Sequence, residues 1–139
     1  MNNKEIVKKF TNLIMRDGKK SIASKVLKLS LTKACKQLGF TEDQLLSKCL
    51  NNVKPSVDAR SKRIRSTSYI IPYAITREQS INLALKIIIK VTRDRKEKSF
   101  VDRLVNEFVD ASNNRGASVK KKNEIHKLAE ANKSFAFFR

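Results

Sequence analysis

The sequence predicts a mainly α fold, a six-helix body with a protruding two-stranded antiparallel β-ribbon between helices three and four. Three observations predict it. Apolar residues recur at helical spacing in six stretches; the chain holds only 3 Gly and 2 Pro, too few for a many-turned all-β fold; and one segment alone has no helical period. At 139 residues and 40% hydrophobic content, a single domain over 1–139 can bury a core without staples.

Helix one follows from Ile6, Val7, Phe10, Leu13 and Ile14, which share one helical face, with Lys4, Lys8 and Asn12 on another. It breaks at Asp17-Gly18. A second series, Ala23, Leu27, Ala34 and Leu38, runs toward Gly39 as C-cap, with Lys25, Lys28, Thr32 and Lys36 forming a basic stripe across from it. Thr41-Glu42-Asp43-Gln44 has the spacing of a capping box and opens helix three through Leu45, Leu46, Cys49 and Leu50. Thr76-Arg77-Glu78-Gln79 repeats the device. The stretch Ile81 to Val91 is apolar nearly all round apart from Asn82, Lys86 and Lys90, which makes helix four the central, most buried one. Helix five turns Val101, Leu104, Val105, Phe108 and Ser112 inward and stops near Gly116. Helix six is expected from Ser118 to the C-terminus, cationic at its start and ending on Phe135, Phe137, Phe138 and Arg139.

The aperiodic segment, "VKPSVDARSKRIRSTSYIIPYAI", is rich in Ser, Thr, Tyr, Ile and Val. It reads as two strands, spanning about residues 55–75, that flank Arg63 to Ser66, with Pro55 and Pro72 near the outer strand ends. A lone two-stranded ribbon is marginal in water, so its base must lean on the body.

The formal charge of +18, from 31 Lys+Arg against 13 Asp+Glu, exceeds what folding or solubility requires, because like charges repel across a compact chain. An anionic partner is implied. Cations recur on helix two, at the ribbon centre and at the start of helix six, and pooling on one side of the fold is expected. Arginine in the ribbon adds bidentate phosphate contacts and stacking that lysine makes less well.

Catalysis is not expected, and no cofactor or metal. One histidine, His126, lies in a basic helix and reads as a partly buried residue hydrogen-bonded to backbone or RNA; no carboxylate cluster offers acid–base chemistry. Asp17-Gly18-Lys19-Lys20-Ser21 lacks the glycine and the Ser/Thr that a phosphate loop needs. Cys35 and Cys49 read as small buried thiols, neither a disulfide nor a zinc pair. No apolar run reaches membrane-spanning length, and Met1-Asn2-Asn3-Lys4-Glu5 begins neither a signal nor a transit peptide. The phenylalanines either fold back on the helical body, the expected reading, or stack on bases. Tyr69 and Tyr73 are expected to pack where ribbon meets body.

The last third also resembles a known family. Lys98-Ser99, Arg103-Leu104, Asn106-Glu107, Asp110-Ala111, Gly116, Val119-Lys120-Lys121, His126, Glu130-Ala131-Asn132-Lys133, Phe135, Ala136 and Arg139 stand where the family of the seventh protein of the small ribosomal subunit has them. Upstream, Asp17-Gly18-Lys19-Lys20-Ser21 is a partial match. Asn52-Val53-x-Pro55, Ser61-x-Arg63, Tyr69 and Pro72 sit at that family's ribbon spacing.

The resemblance implies a structural ribosomal protein that binds the 3′ major domain of small-subunit ribosomal RNA and nucleates the subunit head. It would lie beside neighbouring head proteins, with the ribbon near the exit site for tRNA and the mRNA exit path. Carried onto this sequence, the RNA-binding residues are Lys19, Lys20, Lys25, Lys28, Arg60, Lys62, Arg63, Arg65, Arg115, Lys120, Lys121, Lys122 and Lys133. Arg63, Ile64, Arg65 and Ser66 would lie near the exit site. Two departures are visible. Arg65-Ser66 replaces the Gly-Gly pair usual at the ribbon turn of bacterial relatives, and the family's basic N-terminal arm is largely missing. A homo-oligomer and a membrane partner are not expected. A minor-groove DNA-bending protein, the nearest rival, works from a dimer and wedges an apolar residue into a base step, whereas this ribbon tip is basic. Abundant Lys, Asn and Ile suggest a mitochondrial ribosome, with a plastid or a bacterial cytoplasm as alternatives.

Overall fold

The computed structural model describes residues 2–138, so Met1 and Arg139 lie outside the described residues. Its helices are α1 (Asn3–Ile14), α2 (Lys20–Leu38), α3 (Glu42–Val53), α4 (Arg77–Asp94), α5 (Phe100–Ser112) and α6 (Ala117–Ala131). Between α3 and α4 run β1 (Val57–Ile64) and β2 (Thr67–Ala74), and a 3-10 segment, Lys133–Phe138, follows α6. The expected order of elements is therefore present.

Both capping boxes form. Thr41 Oγ1 accepts from the Gln44 backbone N–H at 3.3 Å while Gln44 Oε1 accepts from the Thr41 N–H at 3.1 Å. Thr76 and Gln79 repeat the exchange at 3.4 and 3.1 Å, each box satisfying donors that a helix start leaves free. Gly39 ends α2 in the left-handed region, φ 70°, as its place after Leu38 predicts. At Gly116, φ 95°, a Cβ would stand 2.9 Å from the Asp110 Cβ, so the α5–α6 corner needs glycine for both conformation and room.

The core joins Ile6, Phe10 and Ile14 of α1 to Leu27 and Leu31 of α2, to the inner face of α3, and to Leu85, Ile88, Leu104 and Phe108. Phe10 and Phe108 meet edge to face, ring centroids 5.8 Å apart, both fully covered. α4 is the central helix expected from its apolar circumference: it packs on α1, α3, α5 and α6.

Several details depart from the sequence reading. α6 stops at Ala131 because Asn132 takes over as C-cap, its side-chain N–H donating to the Leu128 carbonyl at 2.8 Å; the chain then tightens into the 3-10 turn. α5 ends at Ser112, short of Gly116, since Asn114 already adopts φ 54°. The strands extend to Ile64 and from Thr67, so Arg63 and Ile64 belong to β1 rather than to the loop. Cys49 is buried and its thiol donates to the Phe108 carbonyl at 3.3 Å; burial, with Glu107 nearby, pushes it up to about 12. Cys35, by contrast, is only half-buried.

The ribbon does not stand clear of the body along its whole length. Its base packs on α6 and β2 meets the 3-10 segment, with Ile71 and Pro72 buried there and residues 65–68 exposed. The phenylalanines correspondingly pack on the ribbon rather than on the helical core: Tyr69 lies 5.2 Å from Phe135 and 5.3 Å from Phe138, centroid to centroid, while Phe137 remains 75% exposed. Tyr73 instead lies under the Arg60 guanidinium, 5.6 Å away.

Candidate nucleic-acid interface

Strand pairing fixes which ribbon cations face which way. Lys62 is opposite Tyr69 and Arg60 opposite Ile71, so these two share the face that carries the aromatic clasp. Lys62 donates its ammonium to the Phe138 carbonyl at 2.8 Å, and Arg60 pairs with Asp58 at 2.7 Å. Arg63, opposite Ser68, lies on the other face. At the tip only Arg65 of the two turn residues has positive φ, 56°, the sign pattern of a type II′ rather than a I′ turn. Arg63 and Arg65 are exposed and have no carboxylate within ion-pair distance among the described residues. Ile64 is half-buried and Ser66 exposed.

The other expected cations occupy two further places. Lys19, Lys20, Lys25 and Lys28 are exposed on α2 and its N-terminal approach, again without an acidic partner among the described residues. Near α6, Lys120 is similarly free, but Arg115 reaches Asp110 at 3.5 Å, Lys121 pairs with Glu124 at 2.9 Å, and Lys133 with Glu130 at 3.6 Å. Lys122 is half-buried and donates to the Asn52 carbonyl at 2.8 Å, which makes it a brace between α6 and α3. α2 packs on α1, α3 and α5, whereas the ribbon packs on α6 and the 3-10 segment. The expected residues thus lie on three stretches of the chain, the ribbon, α2 with its N-terminal approach, and the neighbourhood of α6.

His126 accepts a hydrogen bond on Nε2 from the Ser56 backbone N–H at 3.1 Å, joining α6 to the start of the ribbon. Burial and then the Lys122 charge push its imidazole below the ordinary 6.5. Among the described residues no group of three His, Cys, Asp or Glu side chains could hold a metal ion, and no helix is long and apolar enough to cross a membrane.

Sequence reasoning passes over one surface. Shallow hollows run along the seam of α1 and α4 to the ribbon base, bordered by Lys9, Asn12, Asn82, Lys86, Lys90 and Arg60. In the sequence Asn82, Lys86 and Lys90 are the polar exceptions at i, i+4 and i+8 of an apolar helix. Only the packing of α1 beside α4 turns that row into the wall of a groove.

Residues 1–133 match the family described as ribosomal protein S7p/S5e. The chain belongs to this family. Among its S7p/S5e relatives named small ribosomal subunit protein uS7, that of Geotalea uraniireducens is 41% identical over 134 residues, 96% of this chain and 86% of the relative. The protein of Dichelobacter nodosus is 42% identical over the same shares, and that of Helicobacter hepaticus 39% identical over 99% of this chain and 88% of its own length. The S7p/S5e family is one of structural ribosomal proteins, not enzymes.

Proposed function

We propose that this S7p/S5e protein is a structural constituent of the small ribosomal subunit that binds the 3′ major domain of its RNA and holds several RNA helices in the geometry of the subunit head. The observation that carries the reading is the charge left unneutralised by the fold: Lys19, Lys20, Lys25, Lys28, Arg63, Arg65 and Lys120 stand exposed with no carboxylate partner among the described residues, in a chain whose net charge is +18. Such cations release the counterions condensed on phosphates, while the rigid body supplies shape recognition, the usual mode for A-form RNA. The free arginines at the ribbon tip support a place beside exit-site tRNA and mRNA, and the remaining surface would meet neighbouring head proteins. All three relatives are bacterial, which supports a ribosome of bacterial type in a bacterial cytoplasm over the mitochondrion suggested by composition.

The test is binding of the purified chain to a 3′ major-domain transcript beside unrelated RNA and duplex DNA of equal length, across a salt series. Preference for the transcript persisting near physiological salt is expected, with affinity falling roughly 10³- to 10⁵-fold between 50 and 200 mM salt if six to ten phosphates are contacted. Equal binding to all three that vanishes together would overturn it.

A further inference from the structure

A cavity of about 400 Å³ opens between the α1–α2 loop, the start of α2, the end of α4 and the start of α5. Its volume lies within the range of pockets that hold small ligands, roughly 300 to 1,000 Å³. Four cations border it: Arg16, Lys19, Arg93 and Arg103. Among the described residues no carboxylate does. Partial burial, then the neighbouring Arg16 charge, disfavours the protonated form of Arg93, the two guanidinium groups standing close to each other. Arg103 is pinned by its Nε–H to the Glu97 carbonyl, which keeps its guanidinium at the rim.

The interior has a different character. Met15, Val26 and the Phe100 ring are half-buried there, and Ile22, at the mouth, is 57% exposed. α2 also begins at this mouth without a side-chain cap. Apolar walls with one aromatic ring, ringed by cations and free of acids, suit a flat heterocycle tethered to phosphate.

We infer that this cavity receives one unstacked base of the bound RNA, the base lying against Ile22, Val26 and Phe100 while Arg16, Lys19 and Arg93 hold its flanking phosphates. The inference rests on the RNA-binding reading and adds to it a specificity element. A splayed base is the form in which proteins read RNA sequence, since the deep major groove of A-form helices is closed to side chains. Lys19 is thereby given a pocket, and Arg16, Arg93, Arg103, Ile22 and Phe100 join the interface.

Neutral and charged substitutions separate the two kinds of interaction. Ile22→Ser changes no charge and, at an exposed site, leaves the melting temperature unchanged. It should weaken binding to the 3′ major-domain transcript about tenfold without altering the slope of log affinity against log salt. Arg16→Ala should weaken binding and lower that slope by about one, as expected when one phosphate is no longer neutralised. Phe100→Leu, which keeps an apolar side chain of similar size but removes the ring, is the second apolar variant and should act like Ile22→Ser. Wild-type affinity and slope in both apolar variants, with the fold intact and the wild-type chain still preferring the transcript, would overturn the base pocket while leaving RNA binding standing; such a result would direct attention to a protein segment as the occupant. Loss of transcript preference by the wild-type chain would instead overturn the underlying reading.

Discussion

Arg95 donates from Nη1 to the Glu107 carboxylate at 2.9 Å, and Glu107 is completely buried. The same nitrogen reaches Asp110 at 3.1 Å, Nε reaches Glu97 at 3.1 Å, and the Ser118 hydroxyl donates to the other Glu107 oxygen. One guanidinium thus ties the α4–α5 loop to α5, and Glu107 passes the link on to Ser118 of α6. Arg95→Ala leaves a buried carboxylate without its cation and should destabilise the chain by about 3 to 5 kcal/mol in urea unfolding. Adding Glu107→Met to that variant should recover part of the loss, because the stranded charge is then gone. A single-variant loss under about 1 kcal/mol would contradict the role given to Arg95.

Acid should affect α6 and the ribbon before it affects this corner. The His126 imidazole titrates below 6.5 in the folded chain, so the unfolded chain binds more protons in that window. Its contribution is present above pH 6.5 and is lost as pH falls through the lower folded value, when Nε2 can no longer accept from Ser56. Glu97, held down to about 2 chiefly by the Arg95 hydrogen bond, contributes above about 4.5 and loses its effect only as pH falls toward 2. His126→Gln, whose side-chain oxygen still accepts, should flatten the stability profile between pH 8 and 5. An identical profile in wild type and variant would exclude His126 as the source.

Arg65 holds a positive φ in an L-residue with no glycine to relieve it. Arg65→Gly should raise stability by up to about 1 kcal/mol while weakening RNA binding, a pair of opposite effects that thermal melts and filter binding measure on one protein. Movement of both in the same direction would contradict the separation of strain from charge.

Arg63→Ala with Arg65→Ala should leave thermal stability within about 0.5 kcal/mol, because both side chains are exposed and unpaired among the described residues. Transcript affinity should fall, with a salt slope smaller by about two, one for each phosphate that the arginines cease to neutralise. A large fall in melting temperature would make these arginines structural.

Tyr69 clasps Phe135 and Phe138, yet no residue of the 3-10 segment is fully buried. Phe135→Ala with Phe138→Ala should therefore cost only about 1 to 2 kcal/mol, far below the loss of two core aromatics. Amide exchange should quicken mainly in β2 and residues 133–138. Uniform quickening through α4 and α5 would mean that the tail anchors the whole core.

The helices, and those of their ends that rest on neighbours in sequence, were legible: Thr41 with Gln44, Thr76 with Gln79, Gly39 after Leu38; the ends of α5 and α6 were not. The family was legible from the C-terminal third. Arg65 was legible as a departure from the Gly-Gly pair usual at the ribbon turn, though not the type II′ φ pattern that it adopts. Lys122, which reads as an RNA-binding residue, is a brace to Asn52, and Lys62 is partly engaged by the Phe138 carbonyl, because no local pattern announces a partner some seventy residues away.

By itself, then, the sequence determined the mainly helical architecture, the ribbon's place in chain order and the cationic character of the surface, since periodicity, capping and net charge are properties of short stretches or of simple sums. Only the tertiary structure decided that the phenylalanines settle on the ribbon, that Glu107 is a buried anion held by Arg95, and that Arg16, Arg93 and Phe100 surround one cavity. Those outcomes depend on which helix faces meet in space, and that is set by packing the whole apolar surface at once.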